Sequence, residues 1–413
     1  MKLLSKIFLC ALFFAVVSCR KDKAADEVYV NPIELHLSYE MFGKSEQFST
    51  PLSVQLTNIT EQIFKTVSTD LMGNVVLDEL LPGEYTISVT GSLTPEQVEM
   101  LTGEKTDKGY NLGGFLSSIK LRLATPYSIE IPIIGQIPST LVFKELYYCG
   151  SRTATQGTYR NDGFFSIYNN SDSPVGLNDI YIASLENYGG LGTAGPLWPG
   201  ETQGAYENVY AKTVWKIVAG EKHIELKPGQ AVVIATMAAP HNLDPLLNPS
   251  SPVDLSNADY EAYVVSPTNT YTNYPAQDMK LAFWPSYAYL WRLSVFGQGM
   301  VLIKATDAQF AAFETVTLPQ EFQDAFEEEE YWLCKKIPNS FVVDAVDLIQ
   351  NATATNTKRL HYSLDSGYAS VGGTYLGKSV IRKVSGVISG ITYYQDTNDS
   401  SADFEINDIP LSR

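Results

Sequence analysis

Charge is sparse in this chain of 413 residues, and positive charge is the sparser kind. Charged residues make up 18%, with 29 Lys and Arg against 46 Asp and Glu, for a formal net charge of −17. Contact with a phosphate backbone needs a basic surface, so a nucleic-acid partner is excluded. Histidine is rarer still. The four, His36, His223, His241 and His361, never fall at HxH or HExxH spacing, so a zinc site would have to be assembled from distant segments. No G-x-S-x-G elbow occurs, and neither Cys149 nor Cys334 stands beside a histidine in a protease signature. Paired carboxylates for glycoside hydrolysis are a spatial arrangement, and nothing in the sequence marks one pair. The expectation is a protein that is not an enzyme.

Two nucleotide-like spacings fail for want of a helix after them. Gly372 to Ser379 (GGTYLGKS) has phosphate-loop spacing, yet the next stretch, VIRKVSGVISG, is β-branched and broken by glycines. The chemistry needs a helix there, with its N–H groups and dipole facing the phosphates. Gly190 to Gly195 (GLGTAG) has dinucleotide spacing, but Pro196, Pro199 and Gly200 forbid the helix. No nucleotide partner is expected.

What the chain does have is apolar and aromatic. Hydrophobic residues make up 45%, with Tyr 25 and Phe 18, a balance that suits aromatic-rich β-structure. The length allows two domains. Asp162 to Ala183 (DGFFSIYNNSDSPVGLNDIYIA) reads as two buried strands joined by the turn formers Asn169 to Pro174. The fold class expected is mainly β, two Ig-like β-sandwich units, the second enlarged by loops and a few short helices.

The first residues bear on location. Lys2 and Lys6 form a basic region, and Ile7 to Val17 is an apolar run of eleven residues, too short to span a bilayer and typical of a signal peptide. Val16, Val17, Ser18 and Cys19 then resemble a bacterial lipobox. That resemblance implies a signal peptide over 1–18, diacylglycerol on the Cys19 sulfur and a lipidated tether over 19–31. Several acyl chains give lasting attachment to a bilayer where one does not. Lys21 and Asp22 resemble part of the export signal that sends Bacteroidota lipoproteins to the cell surface, with Lys23 in place of a second acid. The expected location is the outer membrane, lipid-anchored and exposed to the outside. Cys149 and Cys334 either pair in that oxidising compartment or are small buried hydrophobes.

Over 32–136, short strands are expected at Ile33–Leu35, Leu52–Leu56, Val75–Leu77, Tyr85–Val89, Ile119–Leu123 and Ile129–Ile133. One helix is expected between Thr94 as N-cap, with Pro95 at its first position, and Gly103 as its stop. Thr69 to Leu77 and Leu80 to Val89, with Pro82 and Gly83 as the turn, resemble the carboxypeptidase-regulatory, prealbumin-like β-sandwich. Over 137–413, three stretches resemble a bacterial lamin-tail domain: Leu141 to Tyr147, the Asp162 stretch, and Ile224 to Ala235 with its Pro228–Gly229 turn. Ser166 stands where that pattern often has Glu. The order of Pro338–Val346, Gln395–Phe404 and His241–Tyr260 is similar to that in uncharacterised Bacteroidota outer-membrane lipoproteins often encoded beside TonB-dependent receptors. That likeness implies a TonB-dependent receptor as partner. A helix is also expected over Pro319–Leu333, with its Glu327–Glu330 run facing solvent.

Two groups of residues are candidate sites. In a strand after Pro285, Tyr287, Tyr289 and Trp291 share one face. Exposed, they form a stacking platform for sugars, planar ligands or a partner; buried, they are sandwich core. Tyr271 and Tyr274 lie upstream in a loop, where aromatic rings are harder to bury. The phrase holding Asp396, Asn398, Asp399 and Asp403 offers oxygen ligands for a hard cation such as Ca²⁺. It lacks the glycine and closing Glu of an EF-hand loop, and an Asx-rich turn is the simpler reading. Otherwise no cofactor is expected. These features point to an accessory or ligand-capture lipoprotein, with a surface adhesin or glycan-binding lipoprotein as the alternative.

Overall fold

The computed structural model describes residues 29–39, 50–58, 61, 63–103, 105–106, 109–123, 127–136, 139–185, 207–218, 225–285, 289–318, 333–354, 358–361 and 363–411. The protein is mainly β, with β-sandwich units and few short helices.

Alternation builds the first sheet. Ile33, Leu35 and Leu37 are buried while Glu34 and His36 face water, and Tyr85, Ile87 and Val89 repeat the pattern. The strands lie side by side in the order Ile63–Ser68, Ser53–Asn58, Gly83–Leu93, Tyr110–Leu121, Tyr127–Gln136, Ile33–Tyr39, Asn74–Leu77. The expected strands are all present, and Ile63–Ser68 is an addition. Tyr127–Gln136 turns the corner: Tyr127 to Ile133 run parallel to Ile33–Tyr39, and Ile134 to Gln136 pair antiparallel with Asn111 to Gly113. A strand that changes partners this way folds one sheet over itself into a sandwich. The expected helix forms over Pro95–Thr102, with a capping box between Thr94 and Gln97 and Gly103 in the left-handed region at φ 75°.

The two Pro-Gly pairs differ. At Lys227–Gln230, Gly229 has φ 79° and the Gln230 N–H donates to the Lys227 carbonyl at 3.0 Å, a type II turn. Gly83 instead opens a strand, and a Cβ there would lie 2.7 Å from Asn58 Nδ2. The left-handed residue of that turn is Glu79, at φ 52°. At Gly83 the glycine answers a close approach and not a turn, which corrects the sequence expectation.

Two larger sheets make up the rest. The second runs Gln277–Asp278, Tyr260–Glu261, Ala231–Ala235, Phe164–Asn169, Leu141–Tyr147, Ser379–Arg382, Phe404–Asn407. The third runs Thr315–Thr317, Leu333–Pro338, Asn208–Lys216, Ile180–Leu185, Gly299–Lys304, Val342–Asp347, with Lys280–Phe283 also on Asn208–Lys216. Phe143, Phe165, Ile167, Val232 and Ile234 of the second sheet share one core with Ile182, Trp215, Met300 and Leu302 of the third. The pair Phe164–Asn169 and Ile180–Leu185 is therefore no hairpin: each strand lies in a different sheet.

All six residues of Ile180–Leu185 are buried because the third sheet is covered on both faces. Ile180 and Ile182 face the shared core, while Tyr181, Ala183 and Leu185 join a second cluster with Phe310. Phe310 belongs to the helix Asp307–Ala312, capped by Thr306 and Gln309. The expected helix at Pro319–Leu333 lies outside the described residues except Leu333, which opens a strand. Cys149 and Cys334 are both buried, in different clusters, and no disulfide joins them.

Candidate functional site

The acidic phrase near residue 400 meets an arginine. Arg382, 3% exposed, donates through Nη2 to Asp344 Oδ1 at 2.7 Å and through Nη1 to Asp396 Oδ1 at 3.3 Å and Asp403 Oδ2 at 3.2 Å. Its Nε donates to the Phe143 carbonyl at 2.9 Å, and its guanidinium lies 4.8 Å from the Phe404 ring centroid. Asp344 Oδ2 accepts from the Phe143 N–H at 2.6 Å, and Asp403 also takes Thr397 N–H and Oγ1. Asp399 caps the helix Ser400–Asp403, accepting from Ser401 N–H at 2.9 Å. Asn398 has φ 56°, and its carbonyl accepts from the Ser366 N–H at 2.6 Å. Of the four sequence candidates the guanidinium thus binds Asp396 and Asp403, while Asn398 and Asp399 bond to Ser366 and Ser401, so the four share no common centre. Among the described residues no group of three or more His, Cys, Asp or Glu is arranged to hold a metal. Burial pushes Asp344 and Asp403 up to about 7 against the pull of Arg382, and Asp399 up to about 6.

The aromatic candidates separate. Trp291 is 2% exposed, stacked on Trp215 with centroids 6.0 Å apart and edge-on to Phe165 at 5.8 Å. It is core, not platform, because residues 289–292 form no extended strand beyond the single bridge between Leu290 and Tyr263. With no two-residue alternation to hold them to one face, Leu290 and Trp291 both turn inward. Tyr289 is half-buried with its hydroxyl on Thr268. Tyr274 is half-buried against the core, and its N–H donates to Glu261 Oε2 at 3.1 Å. Tyr271, 40% exposed, is the one candidate ring that faces solvent among those described. Tyr287 and the lipidation candidate Cys19 lie outside the described residues.

Other buried ionisable groups have internal partners. Asp162 Oδ2 accepts from Ser151 and Ser251 hydroxyls, both at 2.7 Å, and from Tyr147 Oη at 3.1 Å; burial pushes its carboxyl up. His241 Nε2 lies 3.0 Å from the Met237 carbonyl, which can only accept, so Nδ1 accepts from Tyr159 Oη at 2.7 Å. Burial lowers that ring to about 4, and it is neutral at physiological pH. Gly372 to Ser379 leads into the strand Ser379–Arg382, not a helix.

The concave surface lies elsewhere, beside Ser166 and Val233, which alternate with the core residues Phe165, Ile167, Val232 and Ile234 of the second sheet. Two adjoining depressions of 410 and 340 Å³ share Val233 and Leu411 in their walls. One row of the sheet crosses the smaller: Ser166 pairs with Val233 on one side and Glu145 on the other. A bulge between Ser166 and Ile167 makes Ile167 face Phe143, so Lys144 is an extra residue. A bulge re-aims side chains, and consecutive Lys144 and Glu145 both line the depression. Glu145 Oε1 accepts from Ser379 Oγ at 2.5 Å, Asn407 Nδ2 at 3.0 Å and Leu411 N–H at 3.2 Å. Asp259 Oδ2 accepts from Val233 N–H at 2.8 Å. None of these was a sequence candidate; the signal was Glu145 and Ser166 in facing strands, hidden by the bulge.

The chain is a mainly-β protein built of sandwich units, and residues 227–411 match a family model described as a protein of unknown function, DUF4876. The crystal structure of a DUF4876 family protein from Bacteroides thetaiotaomicron VPI-5482 is 28% identical, covers 92% of this chain and 96% of its own, and superposes with a TM-score of 0.58. A DUF3823 family protein from Bacteroides uniformis ATCC 8492 is 13% identical over 38% of this chain and 68% of its own, with a TM-score of 0.16, too low to carry an argument. No curated protein matches the chain. The matched span includes Arg382 and its carboxylates, Val233, Asp259 and Leu411, but not Glu145 or Ser166.

Proposed function

We propose that this chain is a lipid-anchored outer-membrane protein that captures a ligand or partner for a TonB-dependent receptor and makes or breaks no bond. The leader ending at Cys19 supports the anchor, and the likeness to a Bacteroides protein supports the setting. One observation carries the non-enzymatic reading. The buried charges are spent on holding distant segments together: Arg382 and Asp344 both bond to Phe143, 239 and 201 residues away. Groups bonded to several partners in this way rigidify a scaffold. Pull-down of the tagged chain from solubilised outer membranes is expected to recover a receptor barrel. Repeated recovery of the chain alone counts against the receptor.

The exposed ring of Tyr271 favours one further reading, a glycan-binding surface on the loop 266–275. A glycan array in which Tyr271→Ala abolishes a signal supports it, and an array without any signal removes it.

A further inference from the structure

We infer that the groove beside Ser166 binds a small organic cation carrying a primary ammonium. Ser166 Oγ is the first reason. The residue is 4% exposed, lines the smaller depression and has no hydrogen-bond partner for its hydroxyl. Buried hydroxyls in native structures are bonded, and an unpartnered one in the wall of a cavity points to a partner supplied from that cavity.

The lining decides the chemistry of that partner. Glu145 and Asp259 line the same depression, and Asp254 lines the adjoining one. The hydrogen bonds to Glu145 all fall on Oε1. Among the described residues Lys144 is the single cation in the two linings, and its Nζ is engaged with the Tyr394 and Tyr168 rings, 5.5 and 5.9 Å from their centroids. Three carboxylates against one lysine repel anions and attract cations, and the net charge of −17 adds to the attraction. An ammonium carries donors only, which suits a site rich in acceptors. Glu145 and Val233 stand two strands apart, roughly 10 Å, enough for a short carbon chain along Val233 and Leu411. The inference requires neither membrane attachment nor a receptor.

Full-length protein in detergent, without a receptor, is titrated with 1,4-diaminobutane, and binding is followed by calorimetry. Saturable binding is expected, weakening several-fold as salt is raised. Asp259→Asn keeps an acceptor for Val233 N–H but removes the charge, and is expected to weaken binding roughly tenfold. Ser166→Ala breaks no bond within the chain, so unfolding is unchanged while affinity falls roughly fivefold. No binding at millimolar diamine overturns the inference. So does binding indifferent to salt and to both variants, or equal binding of glucose, which would mark a polyol site.

Discussion

Among the described residues from 30 to 136 the buried side chains are aliphatic apart from Tyr85, and the buried polar ones, Asn58, Thr69 and Asn111, carry no charge. From 139 to 411 aromatic rings such as Phe143, Phe165, Trp215 and Trp291 join the aliphatic core, and Glu145, Asp162, Glu261, Asp344, Asp347, Lys358, Asp365, Arg382, Asp396, Asp399 and Asp403 are all buried with it. The difference comes from reach. In the first sheet, hydrophobic alternation sets the register with no buried charge among the described residues. In the second, Leu141–Tyr147 pairs with Ser379–Arg382, strands separated by more than half of the chain. Apolar contact is non-directional and does not choose among many long-range pairings; bonded charges can, since a mispairing leaves them buried and open. The Lys358 ammonium on Asp347 and on the Asp365 and Gly367 carbonyls is a second bonded buried charge, but it ties residues only 7 to 11 positions apart.

This contrast can be broken by experiment. Arg382→Met leaves Asp344, Asp396 and Asp403 without their cation, at a cost of about 4 kcal/mol. The loss should be larger at pH 8 than at pH 5, where the carboxyls can take up protons. Urea unfolding of the full chain is expected to show one transition shifted and another untouched. Leu35→Ala, at a residue 1% exposed, should cost about 3 kcal/mol and move the other transition. If both variants shift a single transition, the two regions unfold as one and the contrast does not extend to stability.

A smaller effect concerns pH. Burial raises Glu261 from its ordinary 4.5 to about 7 in the folded chain. Well below 4.5 it is neutral in both states, and its contribution to stability is complete. As pH rises from there through 7, the unfolded chain ionises first while the folded one resists holding a buried carboxylate. Stability falls across that window and levels off above it. Glu261→Gln should remove about 1–2 kcal/mol of the loss between pH 5 and pH 8. Melting temperatures of the two proteins at both pH values measure it; equal pH slopes would contradict it. Tyr271→Ala should change stability by less than about 0.5 kcal/mol, being 40% exposed. A larger destabilisation in urea unfolding would place that ring in the structural framework.

Legibility tracks the same division. The helix Pro95–Thr102 is readable from Thr94, Pro95, Gln97 and Gly103 because every signal for it is local. The helix Asp307–Ala312 has the same signature in Thr306 and Gln309, but it is too short for an apolar period to show. Burial of Trp291 is one of the two outcomes the sequence leaves open, but alternation does not place Leu290 and Trp291 inward together, because no extended strand forms there. Glu145 and Ser166 are unreadable as neighbours, since the extra residue Lys144 shifts the alternation by one.

The sequence by itself determined β-structure, the local turns and caps, and a net negative charge, because each depends on residues a few positions apart or on composition. Only the tertiary structure decided that Arg382 binds Asp396 and Asp403, that Trp291 is covered, and that Ser166 opens onto a groove. Those three outcomes depend on which strand lies beside which, and that choice is made by packing between segments far apart in the chain, up to 239 residues for Arg382 and Phe143.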